Sequence, residues 1–226
     1  MSGKAVFWDF DGTLVHPNES FVWALRDALK GCGCCVPEDE LRTFLNGVYS
    51  WKNTHIDYAD RTGDKWWEDL FAHVHTFCVV RGVAETDLIP ICAHFRKEVV
   101  GRAYQVYHDA EEMLTYCTEQ GYENYILSNN YPELPEVVER MGLKRHFREI
   151  FVSARIGYEK PRPELFAYAL ERAGNPEIVY MIGDNPIADI QGGNAAGMRT
   201  AFVHKDGPSE ANWNFATLLE LRDILE

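Results

Sequence analysis

The 226-residue sequence is short of positive charge, with 22 lysines and arginines against 35 aspartates and glutamates and a formal net charge of −13. An acidic surface of this kind has no broad attraction for nucleic acid or anionic membrane, so neither is expected as a partner. A small anionic substrate stays open, because a local cluster or a metal ion can reverse the sign inside a cleft. No stretch approaches the ~18 apolar residues of a membrane span. The opening Met1-Ser2-Gly3-Lys4-Ala5 lacks an apolar segment followed by a small-residue cleavage site, so no secretory leader is expected. The six cysteines lack framework spacing, which favours a reducing, cytoplasmic setting. Cys32, Cys34 and Cys35 cluster in Gly-Cys-Gly-Cys-Cys without a second Cys/His pair at zinc spacing, and read as a turn of small residues ending a helix. Gly-x-x-x-x-Gly-Lys and Gly-x-Ser-x-Gly are both absent, which excludes a P-loop and a nucleophile-elbow serine. Gly192-Gly193 and Gly197 fall late in a helix and at its end, where they cannot cradle a phosphate.

What is present starts with Val6-Phe7-Trp8-Asp9-Phe10-Asp11-Gly12-Thr13-Leu14. A short apolar run bounded by a turn signal reads as a buried strand. Buried strands rarely carry unpaired Asp, because an unpaired buried charge is costly. A turn at Asp11-Gly12 accounts for those two residues and leaves Asp9 unexplained. A catalytic pair at the carboxyl end of a strand accounts for both acids.

Apolar residues make up 46% of the chain, ample for a core. After the first strand, Asn18 is placed to cap a helix carrying Phe21, Leu25, Ala28 and Leu29, and Pro37 to Leu45 suggests another. Residues 46–63 show no period. Trp67, Leu70, Phe71, Val74, Phe77 and Cys78 mark a strong amphipathic helix, and Leu88, Ile91, Cys92, Phe95 and Val99 one more. From residue 101 helices alternate with short apolar runs at Tyr125–Leu127, Ile150–Val152, Ile178–Ile182 and Thr200–Val203, with a helix expected from about Pro186 to Ala196 and a turn and helix in the tail. Such alternation means βαβ units and a parallel sheet. The expectation is an α/β, Rossmann-like core of residues 1–16 and 101–226, with an all-helical insert at 17–100 placed to act as a lid.

Three of the strands end in polar residues: Asp9 and Asp11, Ser128 and Asn129, and Asp184. Lys160 follows a fourth, and Asp189 lies five residues beyond Asp184. In a parallel sheet these positions share one edge, and acids gathered there repel unless a cation sits among them. His73 and His75, two apart on a helix, point to different faces. Trp66, Trp67 and Phe71 read as core, and Arg42, Lys52, Arg61 and Lys65 as solvated charges.

Asp9-Phe10-Asp11-Gly12-Thr13-Leu14, Ser128-Asn129, Lys160-Pro161 and Gly183-Asp184-Asn185-Pro186-Ile187-Ala188-Asp189 resemble, in order, the four motifs of the haloacid dehalogenase-like (HAD) hydrolase superfamily. The helical insert is similar to that family's helical cap class. The resemblance implies that Asp9 is the nucleophile, forming an aspartyl phosphate, and that Asp11 is the general acid and base. It implies that Ser128 and the amide of Asn129 bind the phosphoryl group, and that Lys160 neutralises it and orients Asp9. It places Mg²⁺ at Asp9, Asp184 and the backbone carbonyl of Asp11, with Asp189 in support; the all-oxygen donor set suits magnesium. In this family the dehalogenases proper lack an acid at the position of Asp11, because halide needs no proton. The expected activity is therefore a Mg²⁺-dependent phosphatase of a small phosphorylated metabolite, working as a monomer or homodimer. A phosphomutase of the β-phosphoglucomutase type, which keeps the same acid, and a non-catalytic phosphate-binding protein are the alternatives.

Overall fold

The computed structural model describes residues 3–205, 207 and 209–225. Met1 and Ser2 of the opening segment, Asp206, Pro208 and Glu226 lie outside them. Strand β1 (Lys4–Trp8) is followed by four helices, α1 (Ser20–Gly31), α2 (Glu38–Val48), α3 (Asp64–Val80) and α4 (Glu85–Gly101). The chain then runs through α5 (Ala110–Glu119), β2 (Tyr122–Ser128), α6 (Leu134–Arg140), β3 (Glu149–Val152), α7 (Ser153–Ile156), α8 (Pro163–Arg172) and β4 (Ile178–Gly183). It ends with α9 (Gly192–Ala195), β5 (Arg199–Val203) and β6 (Trp213–Phe215).

The strands form one parallel sheet in the order β3-β2-β1-β4-β5-β6. Alternation along each strand divides its side chains between two layers. Val6, Trp8, Ile126, Tyr180 and Ile182 join α5 and α6 on one face, in a cluster that continues into α1–α4. Ala5, Phe7, Tyr125, Leu127 and Met181 pack against Leu165, Phe166 and Ala169 of α8 on the other. β1 lies at the centre of the sheet, with Trp8 in register with Ile126 on one side and Ile182 on the other. The carboxyl ends of β1, β2 and β4 are therefore adjacent, and the amide of Asp9 continues the ladder by donating to Ile182 O at 2.9 Å.

The two chain crossings between sheet and helices lie side by side. His16 N donates to Gln105 O at 2.8 Å and Tyr107 N to Leu14 O at 3.0 Å, closing a short antiparallel ribbon around Val15 and Val106. His16, Tyr107 and His204 stack in series beside it, with ring centroids 3.8 and 3.7 Å apart.

Several local expectations need correction. Asn18 lies two residues before α1 and accepts from Ser20 N at 2.9 Å, closing an Asx turn ahead of the helix instead of capping it. The expected helix from Pro186 to Ala196 is a π-helical turn over Pro186–Gln191 followed by α9. The wider turn buries Asp189 completely. The tail contains β6, a three-residue edge strand too short for its period to show. Trp66 and Trp67 are buried in the core, as their spacing implied. Among the described residues no helix is long and apolar enough to cross a membrane.

Candidate active site

Lys160 is the hub of the sheet edge. Its side chain is 1% exposed, and its ammonium donates to Asp9 Oδ1 at 2.9 Å, Asp189 Oδ1 at 2.6 Å and Leu127 O at 2.7 Å. Three acceptors satisfy three N–H groups, which is what a buried lysine requires. Burial pulls the ammonium down, and the flanking carboxylates of Asp189 and Asp9 more than offset it, leaving the group above its ordinary value. The loop holding Lys160 is itself clamped: Lys160 N donates to Asn129 Oδ1 at 2.6 Å, and Asn129 Nδ2 donates back to Lys160 O at 3.0 Å. The Asn129 side chain is thus spent on the Lys160 backbone.

Asp189 is fixed at both oxygens, because its Oδ2 accepts from Asn185 N at 2.9 Å. Asn185 in turn caps the turn, accepting from Ile187 N and Ala188 N at 3.0 and 2.9 Å. Two glycines let this network close. A Cβ on Gly183 would lie 2.2 Å from the Asp189 carboxyl, and one on Gly12 would lie 2.3 Å from Asp184 Oδ2, with Gly12 also at φ +84°. Both positions require the absence of a side chain.

Asp11 is held by Asn130, whose Nδ2 donates to Asp11 Oδ2 at 2.7 Å. Asn130 is buried, with its backbone N–H donating to Ser153 Oγ at 3.1 Å and its Oδ1 accepting from Tyr131 N at 3.0 Å. Burial, then the charge of Asp9, pushes the Asp11 carboxyl up to about 7, against the opposing hydrogen bond from Asn130. Asp184 is raised by burial and by Asp9, with Lys205 opposing through a 2.5 Å ion pair to Oδ2.

Oxygens of Asp9, Asp184 and Asp189 lie within 4.8 Å of one another. Such a donor set, all carboxylate with no His or Cys, suits a hard divalent cation. Asp189 already satisfies Lys160 and Asn185, so Asp9 and Asp184 are the two with oxygens to spare.

These groups line one cleft of about 410 Å³, together with Ser128 and Asn129. Asp9, Asp11, Ser128, Asn129, Lys160, Asp184 and Asp189 all reach it. The helical layer contributes the opposite wall, including Phe21, Arg42, Tyr49, Trp51 and Lys52. Arg42 is tied to Glu19, so Lys52 is the exposed cation on that side. Two further residues, Asn130 and Lys205, belong to the site beyond those the sequence motifs carry. Asn130 carries a sequence signal, since it continues the polar run at the end of β2, whereas Lys205 is a lone loop lysine without one.

The similarities agree with this geometry. The chain is 31% identical over 208 residues to human haloacid dehalogenase-like hydrolase domain-containing protein 3, covering 88% of this chain and 81% of the relative. It is 36% identical over 115 residues to a phosphoserine phosphatase of Thermus thermophilus, covering 50% of this chain and 45% of the relative. Against several curated relatives the matched stretch spans only about half of the relative's length, from 45% to 60%. The fold superposes on a magnesium-bound HAD hydrolase, YfnB of Bacillus subtilis, with a TM-score of 0.75 at 22% identity, covering 100% of this chain and 99% of the other. The family model for haloacid dehalogenase-like hydrolases matches residues 4–197, and with a sheet edge built from the same segments, the chain belongs to that hydrolase family.

Proposed function

We propose that the protein is a phosphatase that hydrolyses a small phosphorylated metabolite by way of an aspartyl phosphate on Asp9. The observation that carries this reading is the Asp11 carboxyl, held by Asn130 and raised to about 7 in the cleft that Asp9 lines. A group of that pKa is protonated in part of the population near neutrality, as a general acid needs to be. Relatives named as phosphatases support the same class of reaction.

In the first step a carboxylate oxygen of Asp9 attacks phosphorus in line. The ester P–O bond breaks, its electron pair leaves on the departing oxygen, and Asp11 delivers the proton. In the second, the Asp11 carboxylate takes a proton from water as that water attacks phosphorus. The bond to Asp9 breaks, phosphate departs and both carboxyls are restored. Lys160 orients Asp9 and offsets phosphoryl charge, while Ser128 and the backbone N–H of Asn129 donate to phosphoryl oxygens. Asp9 and Asp184 would hold Mg²⁺, with the Asp11 carbonyl and Asp189 in support. When bound, the ion supplies charge neutralisation for the phosphoryl group. Residues 17–100 act as the cap over the cleft, whose wall meets the leaving group.

The test is hydrolysis of an aryl phosphate with and without Mg²⁺ by wild type and by Asp9→Asn. Wild type is expected to need Mg²⁺, and Asp9→Asn to fall by about 10³-fold or more. Full activity in Asp9→Asn would sink the mechanism. Isomerisation of a sugar phosphate with little phosphate release would mark a phosphomutase instead.

A further inference from the structure

Residues 49–63, between α2 and α3, have no helical period, and the reason is that their main chain is bound to the core loop carrying Lys160. Tyr58 N donates to Gly157 O at 3.1 Å and Gly63 N to Ala154 O at 2.9 Å, while Arg162 Nη1 donates to Ile56 O at 3.0 Å. Gly157 lies so close that a Cβ there would be 2.4 Å from Ala59 Cα.

At the end of this seam nearest the cleft sits a buried carboxyl that the reaction does not use. Glu159 is 1% exposed, and its Oε1 accepts from Ser50 Oγ at 2.5 Å. Ser50 Oγ itself accepts from Trp66 Nε1 at 3.0 Å. With the indole as its donor, the Ser50 hydroxyl proton must go to an acceptor, and Glu159 supplies it. The relay thus runs one way, from Trp66 to Ser50 to Glu159. Burying a carboxyl is costly, and an apolar residue would fill the space without that cost. The neighbours of the two ends explain what the contact positions. Tyr49, Trp51 and Lys52, on either side of Ser50, line the cleft from the cap side. Lys160, next to Glu159, lines it from the core side.

We infer that Glu159 is a positioning residue for leaving-group selection: through Ser50 it sets the Tyr49–Lys52 turn over the cleft in register with Lys160 and Asp9. The inference rests on the phosphatase reading.

The experiment compares Ser50→Ala, Glu159→Ala and Glu159→Gln on two substrates, an aryl phosphate that reaches the cap wall and acetyl phosphate, whose leaving group is too small to reach it. Ser50→Ala and Glu159→Ala are expected to raise KM for the aryl phosphate about tenfold, with kcat within about twofold. Neither should change the kinetics on acetyl phosphate. Glu159→Gln, whose amide oxygen still accepts from Ser50, should behave as wild type. Equal losses on both substrates, or no change on either, would overturn the inference. Hydrogen exchange at Tyr58 and Gly63, whose amides cross the seam, reads the tether without turnover. Both alanine variants should speed it about tenfold, and unchanged exchange would likewise overturn the tether. If wild type turns over neither substrate, the phosphatase reading falls, and the tether stands or falls on exchange alone.

Discussion

The ammonium of Lys160 lies 2.6 Å from Asp189 Oδ1, with both side chains sealed from solvent. This pair holds the lysine that touches Asp9, the proposed nucleophile, so it joins stability to reactivity. Removing one partner of a buried pair leaves the other charge uncompensated. Asp189→Asn is expected to cost about 3 kcal/mol in urea unfolding and to lower kcat more than it raises KM. An unfolding midpoint equal to that of wild type would contradict the account.

Gly12 faces Asp184 at a distance no side chain tolerates. Gly12→Ala is expected to displace the Asp184 carboxyl and, from its positive φ, to cost about 1–3 kcal/mol. The specific signature is cation binding. Mg²⁺ should raise the melting temperature of wild type, as any ligand of the native state does, and the shift should vanish in Gly12→Ala. A preserved Mg²⁺ shift would show that Asp184 is not held as described.

Asn130 should matter in proportion to how much the leaving group needs a proton. Its hydrogen bond fixes the Asp11 carboxyl. Asn130→Ala is expected to lower kcat/KM about tenfold for an alkyl phosphate, whose alkoxide must be protonated, and much less for a nitrophenyl phosphate. Equal losses on the two would remove Asn130 from the acid's support.

Glu159 gives a pH dependence of stability with a definite sign. Burial is the main cause of its rise from 4.5 to about 7, opposed by hydrogen bonding to Ser50 and by the charge of Lys160. A carboxyl raised on folding binds its proton more tightly in the native state. Its contribution is fully present below pH 4.5 and is lost as pH climbs towards 7. The shift corresponds to about 3 kcal/mol. Unfolding measured in urea across that range should therefore show wild type losing stability relative to Glu159→Gln. A constant difference between the two would contradict it.

The parallel core was legible because its apolar runs are short, alternate with helices after residue 101 and, at the site, end in polar residues. Asp9, Ser128 and Asp184 stand where β1, β2 and β4 stop, and a strand end is a local event that the chain declares. Lys160 and Asp189 could be placed by their neighbours in sequence, but not their mutual contact, which needs the sheet to form. Three features escaped for physical reasons. The π-helical turn at Pro186–Gln191 follows the Asp189 contacts with Lys160 and Asn185, which no helical period encodes. Residues 49–63 look patternless because their main chain pairs with core groups 91 to 106 positions away, the carbonyls of Gly157 and Ala154 and the guanidinium of Arg162. Glu159 looks like an ordinary loop acid until the segment carrying Ser50 folds over it.

The most direct test of the central claim is the mass of the Asp9-containing peptide from Asp11→Asn after brief reaction with a nitrophenyl phosphate and acid quench. That leaving group departs without a proton, so the first step proceeds, and the missing base stalls the second. The peptide is expected to gain the mass of one phosphoryl group, located on Asp9 and absent from Asp9→Asn. Turnover of the same substrate by wild type with no phosphoryl group ever found on Asp9 would contradict it.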